Sequence, residues 1–157
     1  MKYFTSQPLY VLAFALLNIA AQAGERGTLY QRLGGEPSVR SIADTLIERV
    51  AADPRLGRSF KGAKIPRIKD KLFEQLCELS GGPCKYTGDS MRETHGGHHI
   101  TDAEFYGLVD TLRAVLREHH ESLADTNELL RLLAPMKRDI VEGPEDKSSA
   151  RQKKTAE

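Results

Sequence analysis

Apolar residues recur at helical spacing along almost the whole of this chain, and no stretch of useful length alternates with the period of two that a strand requires. That pattern confines the fold to the all-α class. Val39, Ile42, Ala43, Leu46, Ile47 and Val50 form a first stripe, with Pro37 suited to the opening turn and Asp53-Pro54 to its end. The second stripe is Ile65, Ile68, Leu72, Phe73, Leu76 and Leu79, stopped by Gly81-Gly82-Pro83. The third opens on a capping box, Thr101-x-x-Glu104, and continues through Phe105, Leu108, Val109, Leu112, Val115 and Leu116. The fourth, Leu129, Leu130, Leu133, Met136, Ile140 and Val141, is expected to open at Asp125-x-x-Glu128 and to be kinked by Pro135.

Between the second and third stripes the chain runs from Gly81 to Gly97, long for a connection in a simple bundle. Long connections in compact domains usually serve a function, and here a cofactor can fill the space that a plain four-helix core would close. His95 lies in this run, in Ser90-Met91-Arg92-Glu93-Thr94-His95-Gly96-Gly97. A lone histidine near a helix end is more often a surface or structural residue than a metal ligand. A neutral imidazole held between two apolar helices is also how a haem iron is anchored from one side. His98 and His99 raise a competing possibility, a copper, zinc or nickel site built from imidazoles. No carboxylate or cysteine stands at a spacing that completes such a site, and Gly96 and Gly97 would leave it loose.

The first 23 residues carry the three parts of a secretory signal: Lys2, the apolar run Val11 to Ala21, and the small-x-small sequence Ala21-Gln22-Ala23. The apolar run is short for a membrane span; an uncleaved anchor is the alternative. Removal of residues 1–23 takes away one cation, Lys2, so 22 cations then balance 22 anions. A neutral mature chain argues against nonspecific nucleic-acid binding and gives no reason for electrostatic docking on a membrane. Export, to a bacterial periplasm, is the expected localisation. The domain is expected to span 24–142, with 143–157 a charged, disordered tail almost without apolar residues. Cys77 and Cys84 are the only cysteines. In an oxidising compartment the Gly81-Gly82-Pro83 turn offers a route to a bridge between them. A buried thiol on the helix and a free one in the loop is the alternative, and the spacing disfavours a zinc site.

The order Gly81-Gly82-Pro83, then Tyr86-Thr87-Gly88, then Met91-x-x-x-His95 resembles the truncated haemoglobins of group I. The resemblance extends from about Leu29 to Glu142. It includes Leu29-Tyr30-x-Arg32-Leu33-Gly34-Gly35, Asp53-Pro54-x-Leu56 with Phe60, Ile100, and Glu104-Phe105. It implies a two-over-two helical sandwich enclosing a b-type haem, with His95 as the proximal iron ligand and Met91 one turn before it. It further implies that Phe60 stacks on the macrocycle, with Lys71 and Tyr86 at its propionate edge. The absence of Cys-x-x-Cys-His speaks against covalent attachment of the haem.

The departures from that family concern the side of the iron where a gas would bind. Where group I proteins usually carry a tyrosine this chain has Ile47, and where they often carry a glutamine it has Leu72. Ile68 is one turn before Leu72 on the same face. None of the three can donate a hydrogen bond. A hydrogen bond to a charged partner contributes about 1.5–3 kcal/mol, roughly one to two orders of magnitude in affinity. The distal pocket is expected to lack that contribution unless Gln75, surface-exposed by default, or a water reaches in. The implied activity is reversible binding of oxygen, NO or CO, with a reductase as a possible partner. The rivals are a haem enzyme that detoxifies NO or peroxide, which would ordinarily use polar distal groups, a gas sensor, and a haem-free metal protein using the His95, His98 and His99 cluster.

Overall fold

The computed structural model describes residues 27–142. The expected signal segment and charged tail lie outside the described residues. Seven α-helices occur among them: α1 (Leu29–Arg32), α2 (Gly35–Ala52), α3 (Ile65–Leu79), α4 (Met91–His95), α5 (Asp102–Glu118), α6 (Leu123–Leu133) and α7 (Lys137–Ile140). Short 3₁₀ turns at Gly57–Phe60 and Ala134–Met136 complete the order, and there is no strand among the described residues.

The first three apolar stripes become α2, α3 and α5, and the fourth is divided among α6, the 3₁₀ turn after it and α7. The third begins as expected, with the Thr101 hydroxyl accepting from the Glu104 N–H and the Glu104 carboxylate accepting from the Thr101 N–H. The fourth begins earlier than its apolar pattern indicates. Ser122, not Asp125, is the N-cap, its hydroxyl accepting from the Asp125 N–H at 3.0 Å. The first turn escapes a periodicity argument because Leu123 is 82% exposed and contributes nothing to the stripe. Pro135 has the expected effect, splitting α6 from α7 by a 3₁₀ turn.

α2 packs against both α3 and α5. The core is drawn from the faces they share: Val39, Ile42, Ala43, Leu46 and Val50 of α2, Phe73, Leu76 and Cys77 of α3, Leu112, Val115 and Leu116 of α5, and Leu129 of α6. Each fully buried aliphatic side chain of this kind contributes about 1.5–3 kcal/mol. Arg32 fastens α1 to α6, donating to Asp125 Oδ1 at 2.6 Å and Glu128 Oε2 at 2.5 Å.

The Gly81-Gly82-Pro83 turn has a steric reason. Gly81 sits at φ +82°, where a side chain is strained. A Cβ on Gly82 would stand 2.6 Å from Cys77 Sγ and 2.8 Å from the Tyr30 ring, so only glycine passes between them. The turn carries Cys84 back to Cys77, and the two are bridged with their Cα atoms 5.7 Å apart.

Candidate functional site

The connection from α3 to α4 folds back along α3 and is fastened there. Besides the disulfide, two α3 carboxylates hold it. Glu78 accepts from Lys85 Nζ at 2.8 Å and from the Tyr86 N–H at 3.0 Å. Glu74 accepts from the Thr87 N–H at 3.0 Å, the Thr87 hydroxyl at 2.8 Å and Lys71 Nζ at 2.8 Å. Lys71, with the help of Thr87, holds the Glu74 carboxyl down at about 2. The chain then enters α4 through a second capping box: the Ser90 hydroxyl accepts from the Glu93 N–H at 3.2 Å, and the Glu93 carboxylate accepts from the Ser90 N–H at 3.0 Å.

His95 ends that helix, half-buried, with Nδ1 2.8 Å from the Met91 carbonyl oxygen. Nδ1 therefore carries the proton and donates it, and the lone pair is left on Nε2. Burial depresses the pKa of the imidazole, the Met91 carbonyl opposes this, and the neighbouring His98 adds to it. The neutral ring, oriented through one nitrogen and open at the other, is the form in which histidine ligates a metal. The residues present thus fit a haem iron approached from Nε2.

His98 and His99 do not share this environment. Both are exposed. Their carbonyls accept from Arg58 at 2.8 and 2.7 Å, and His99 Nδ1 lies 2.7 Å from Glu142 Oε2. Among the described residues no three His, Cys, Asp or Glu side chains converge as a metal site, and His95, His98 and His99 do not form one. Arg58 also pairs with Glu104, which anchors the link that follows α4 to the start of α5.

The remaining sequence-predicted positions fall into two groups. Ile68 and Leu72 share one face of α3 and are half-buried, and Ile47 of α2 is 5% exposed. Ile47 is buried without belonging to the contiguous core, whereas Leu72 and the half-buried Phe60 pack against that core. Lys71 and Tyr86 are engaged within the protein: Lys71 by Glu74 and Thr87, the Tyr86 hydroxyl by donation to the Asp89 carbonyl at 2.8 Å. Tyr86 thus braces its own turn.

Gln75 departs from its expected surface position. It is half-buried, and its Nε2 lies 3.4 Å from Met91 Sδ and 3.5 Å from Met136 Sδ. The spacing Ile68, Leu72, Gln75 places it on the same helical stripe as the two aliphatics, which is the signal that could have found it. The contact links α3 to α4, the two helices that carry most of the candidate residues.

Residues 28–142 match the model of the family described as bacterial-like globin. The chain is 30% identical over 119 residues to a group 1 truncated hemoglobin of Mycolicibacterium paratuberculosis, covering 76% of this chain and 88% of that protein. It is 28% identical over 114 residues to a group 1 truncated hemoglobin of Tetrahymena pyriformis, covering 73% of this chain and 94% of that protein. The crystal structure of the Fe(III) form of the truncated hemoglobin from T. pyriformis superposes with a TM-score of 0.71 at 27% identity, covering 74% of this chain and all of the other. The 2/2 hemoglobin of Synechococcus, solved with covalently attached heme, has the same fold at a TM-score of 0.68 and 24% identity, covering 73% of this chain and 98% of the other.

Proposed function

Because this chain belongs to the bacterial-like globin family, among its group 1 truncated haemoglobins, we propose that it holds a b-type haem against His95 and reversibly binds a diatomic gas. The observation that carries this reading is the state of His95: its Nδ1 proton is committed to the Met91 carbonyl, and its Nε2 lone pair is left for iron. When bound, the haem supplies an iron with a coordination position for oxygen, NO or CO. The protein supplies the neutral imidazole, the short helix that presents it, and apolar walls that keep the iron out of bulk water.

Ile47, Ile68 and Leu72 form the distal wall in this reading, and Phe60 packs on the macrocycle. All four present hydrocarbon, so the site favours ligands that need no hydrogen bond over those that do. An enzyme that holds and cleaves a peroxide would use a polar distal group, which these positions do not provide. Reversible gas binding is therefore the activity that this set of residues serves best. Lys71, already paired with Glu74, reaches a propionate only by sharing its ammonium.

The deciding experiment is the absorption spectrum of the purified protein in ferric, ferrous and CO-bound forms. A Soret band that shifts on reduction and on addition of CO, and that is lost in His95→Ala, is the expected result. A colourless protein, or unchanged spectra in His95→Ala, overturns the reading.

We further propose that the protein works outside the cytoplasm. The support is the signal-like composition of residues 1–23 together with the Cys77–Cys84 bridge, since such bridges persist in oxidising compartments. Intact mass of the protein from its native host is expected to correspond to a chain beginning at Gly24. A mass that retains Met1 to Ala23 contradicts cleavage.

A further inference from the structure

α4 is a five-residue helix with no buried residue, too short to hold its place by its own hydrogen bonds. Its position is set from outside, and the contacts that set it divide by direction. Toward the C-terminal segment, Arg92 donates to Asp139 of α7 at 2.8 Å, and the Gly97 N–H donates to Glu142 Oε1 at 2.5 Å. Toward α3 there is a single hydrogen-bond link among the described residues, from the Gln75 amide to Met91 Sδ. The same amide nitrogen reaches Met136 Sδ, in the turn between α6 and α7. Gln75 therefore joins three pieces of the structure: α3, the helix that bears the imidazole, and the turn between α6 and α7.

We propose that Gln75 is a positioning residue for the His95 imidazole. The inference rests on the reading of His95 as iron ligand. Gln75 holds Met91, and the Met91 carbonyl accepts the Nδ1 proton of His95 at 2.8 Å. Any shift of Met91 relative to α3 moves the acceptor that sets the plane of the ring and the basicity of Nε2. Thioether sulfur is a weak acceptor, so little of the protein's overall stability depends on these contacts. What they determine is the placement of a short helix that no buried side chain locates. An aliphatic residue at 75 would continue the Ile68 and Leu72 stripe and fill the space, without a donor for either sulfur.

The test uses the full chain loaded with haem in the ferrous, unligated state. The resonance Raman band of the iron–histidine bond reports ring orientation and the hydrogen bond at Nδ1. Gln75→Glu keeps the size of the side chain and removes its N–H donors, and it is expected to shift or split that band relative to the wild type. A band of wild-type position and width in Gln75→Glu overturns the proposal. If that variant retains no haem, amide exchange in the apo-protein decides in the same way. The N–H groups of Thr94 and Gly96, which donate to the Ser90 and Arg92 carbonyls at the two ends of α4, are expected to exchange several-fold faster, with α5 unchanged. Equal exchange in α4 overturns it. An iron–histidine band that survives His95→Ala is a different failure: it removes the ligand assignment on which the role of Gln75 rests.

Discussion

Cys77, fully buried in the last turn of α3, is bonded to the half-buried Cys84, seven residues along in the connection to α4. The bridge closes a small loop and so restricts the unfolded chain. On chain-entropy grounds a loop of this size contributes about 2–3 kcal/mol. The Cys77→Ser/Cys84→Ser double variant is expected to lose about that much in denaturant unfolding. It is also expected to retain haem, because the Glu74 and Glu78 contacts still fasten the connection to α3 and neither sulfur is proposed as a ligand. A double variant that cannot hold haem under conditions where it is folded would contradict this.

His95 is expected to be the only histidine on which haem retention depends. His95→Ala should lose haem, or keep it only when imidazole is added to occupy the vacated position. His98→Ala and His99→Ala should retain it, since both side chains are exposed and His99 is paired with Glu142. Haem titration of the three variants checks this, and loss of haem from either of the latter two alone would move the ligand assignment.

The pH dependence of the apo-protein separates His95 from the carboxylates. Burial lowers the folded-state pKa of His95 below its ordinary 6.5, so the unfolded chain takes up that proton first as the pH falls. The stability His95 contributes is complete above 6.5 and is lost as the pH drops through the folded value. Glu74 and Glu104 act with the same sign in a lower window. Lys71 holds one at about 2 and Arg58 holds the other at about 2, against an ordinary 4.5. Their contributions are therefore complete above 4.5 and vanish toward pH 2. Urea unfolding from pH 8 to 3 is expected to show a first decline below 6.5 that disappears in His95→Leu, and a second below 4.5 that remains. A first decline that persists in His95→Leu would assign it elsewhere.

How much of this was legible in the residues depended on whether a feature was local. The helices α2, α3 and α5 could be read because their apolar stripes are long and their ends carry ordinary stop and cap signals. The first turn of α6 could not, since Leu123 faces solvent and only the Ser122 hydroxyl marks the start. The glycine pair at 81 and 82 was legible as a turn, but the reason for the second glycine, the approach of the Cys77 sulfur and the Tyr30 ring, needed the fold. Among candidate site residues, His95 and Met91 were legible from one motif spaced by a single helical turn. The environments of Lys71, Tyr86 and Gln75 were not, because each depends on a partner that only the fold brings up: Thr87 beside Glu74, the Asp89 carbonyl, and the sulfurs of Met91 and Met136.

The distal wall gives the sharpest test of the proposed activity. Ile47 is buried on α2, outside the contiguous core, at the position where the resembling family usually places a tyrosine. Oxygen held at a ferrous haem carries partial negative charge and gains from a nearby donor, whereas carbon monoxide gains little. With isoleucine at 47, isoleucine at 68 and leucine at 72, the wild type is expected to release oxygen fast and to discriminate poorly against carbon monoxide. The Gln75 amide does not change this expectation, because its donor is turned toward Met91 and Met136. Ile47→Tyr introduces a hydroxyl at a buried position. If that hydroxyl contributes about 1.5 kcal/mol, oxygen release slows by roughly tenfold, while carbon monoxide release changes much less. Stopped-flow dissociation of both gases from the wild type and the variant is the measurement. Slow oxygen release from the wild type, left unchanged by Ile47→Tyr, would mean that another donor already serves the pocket, and Gln75→Leu would then show whether that donor is the amide of residue 75.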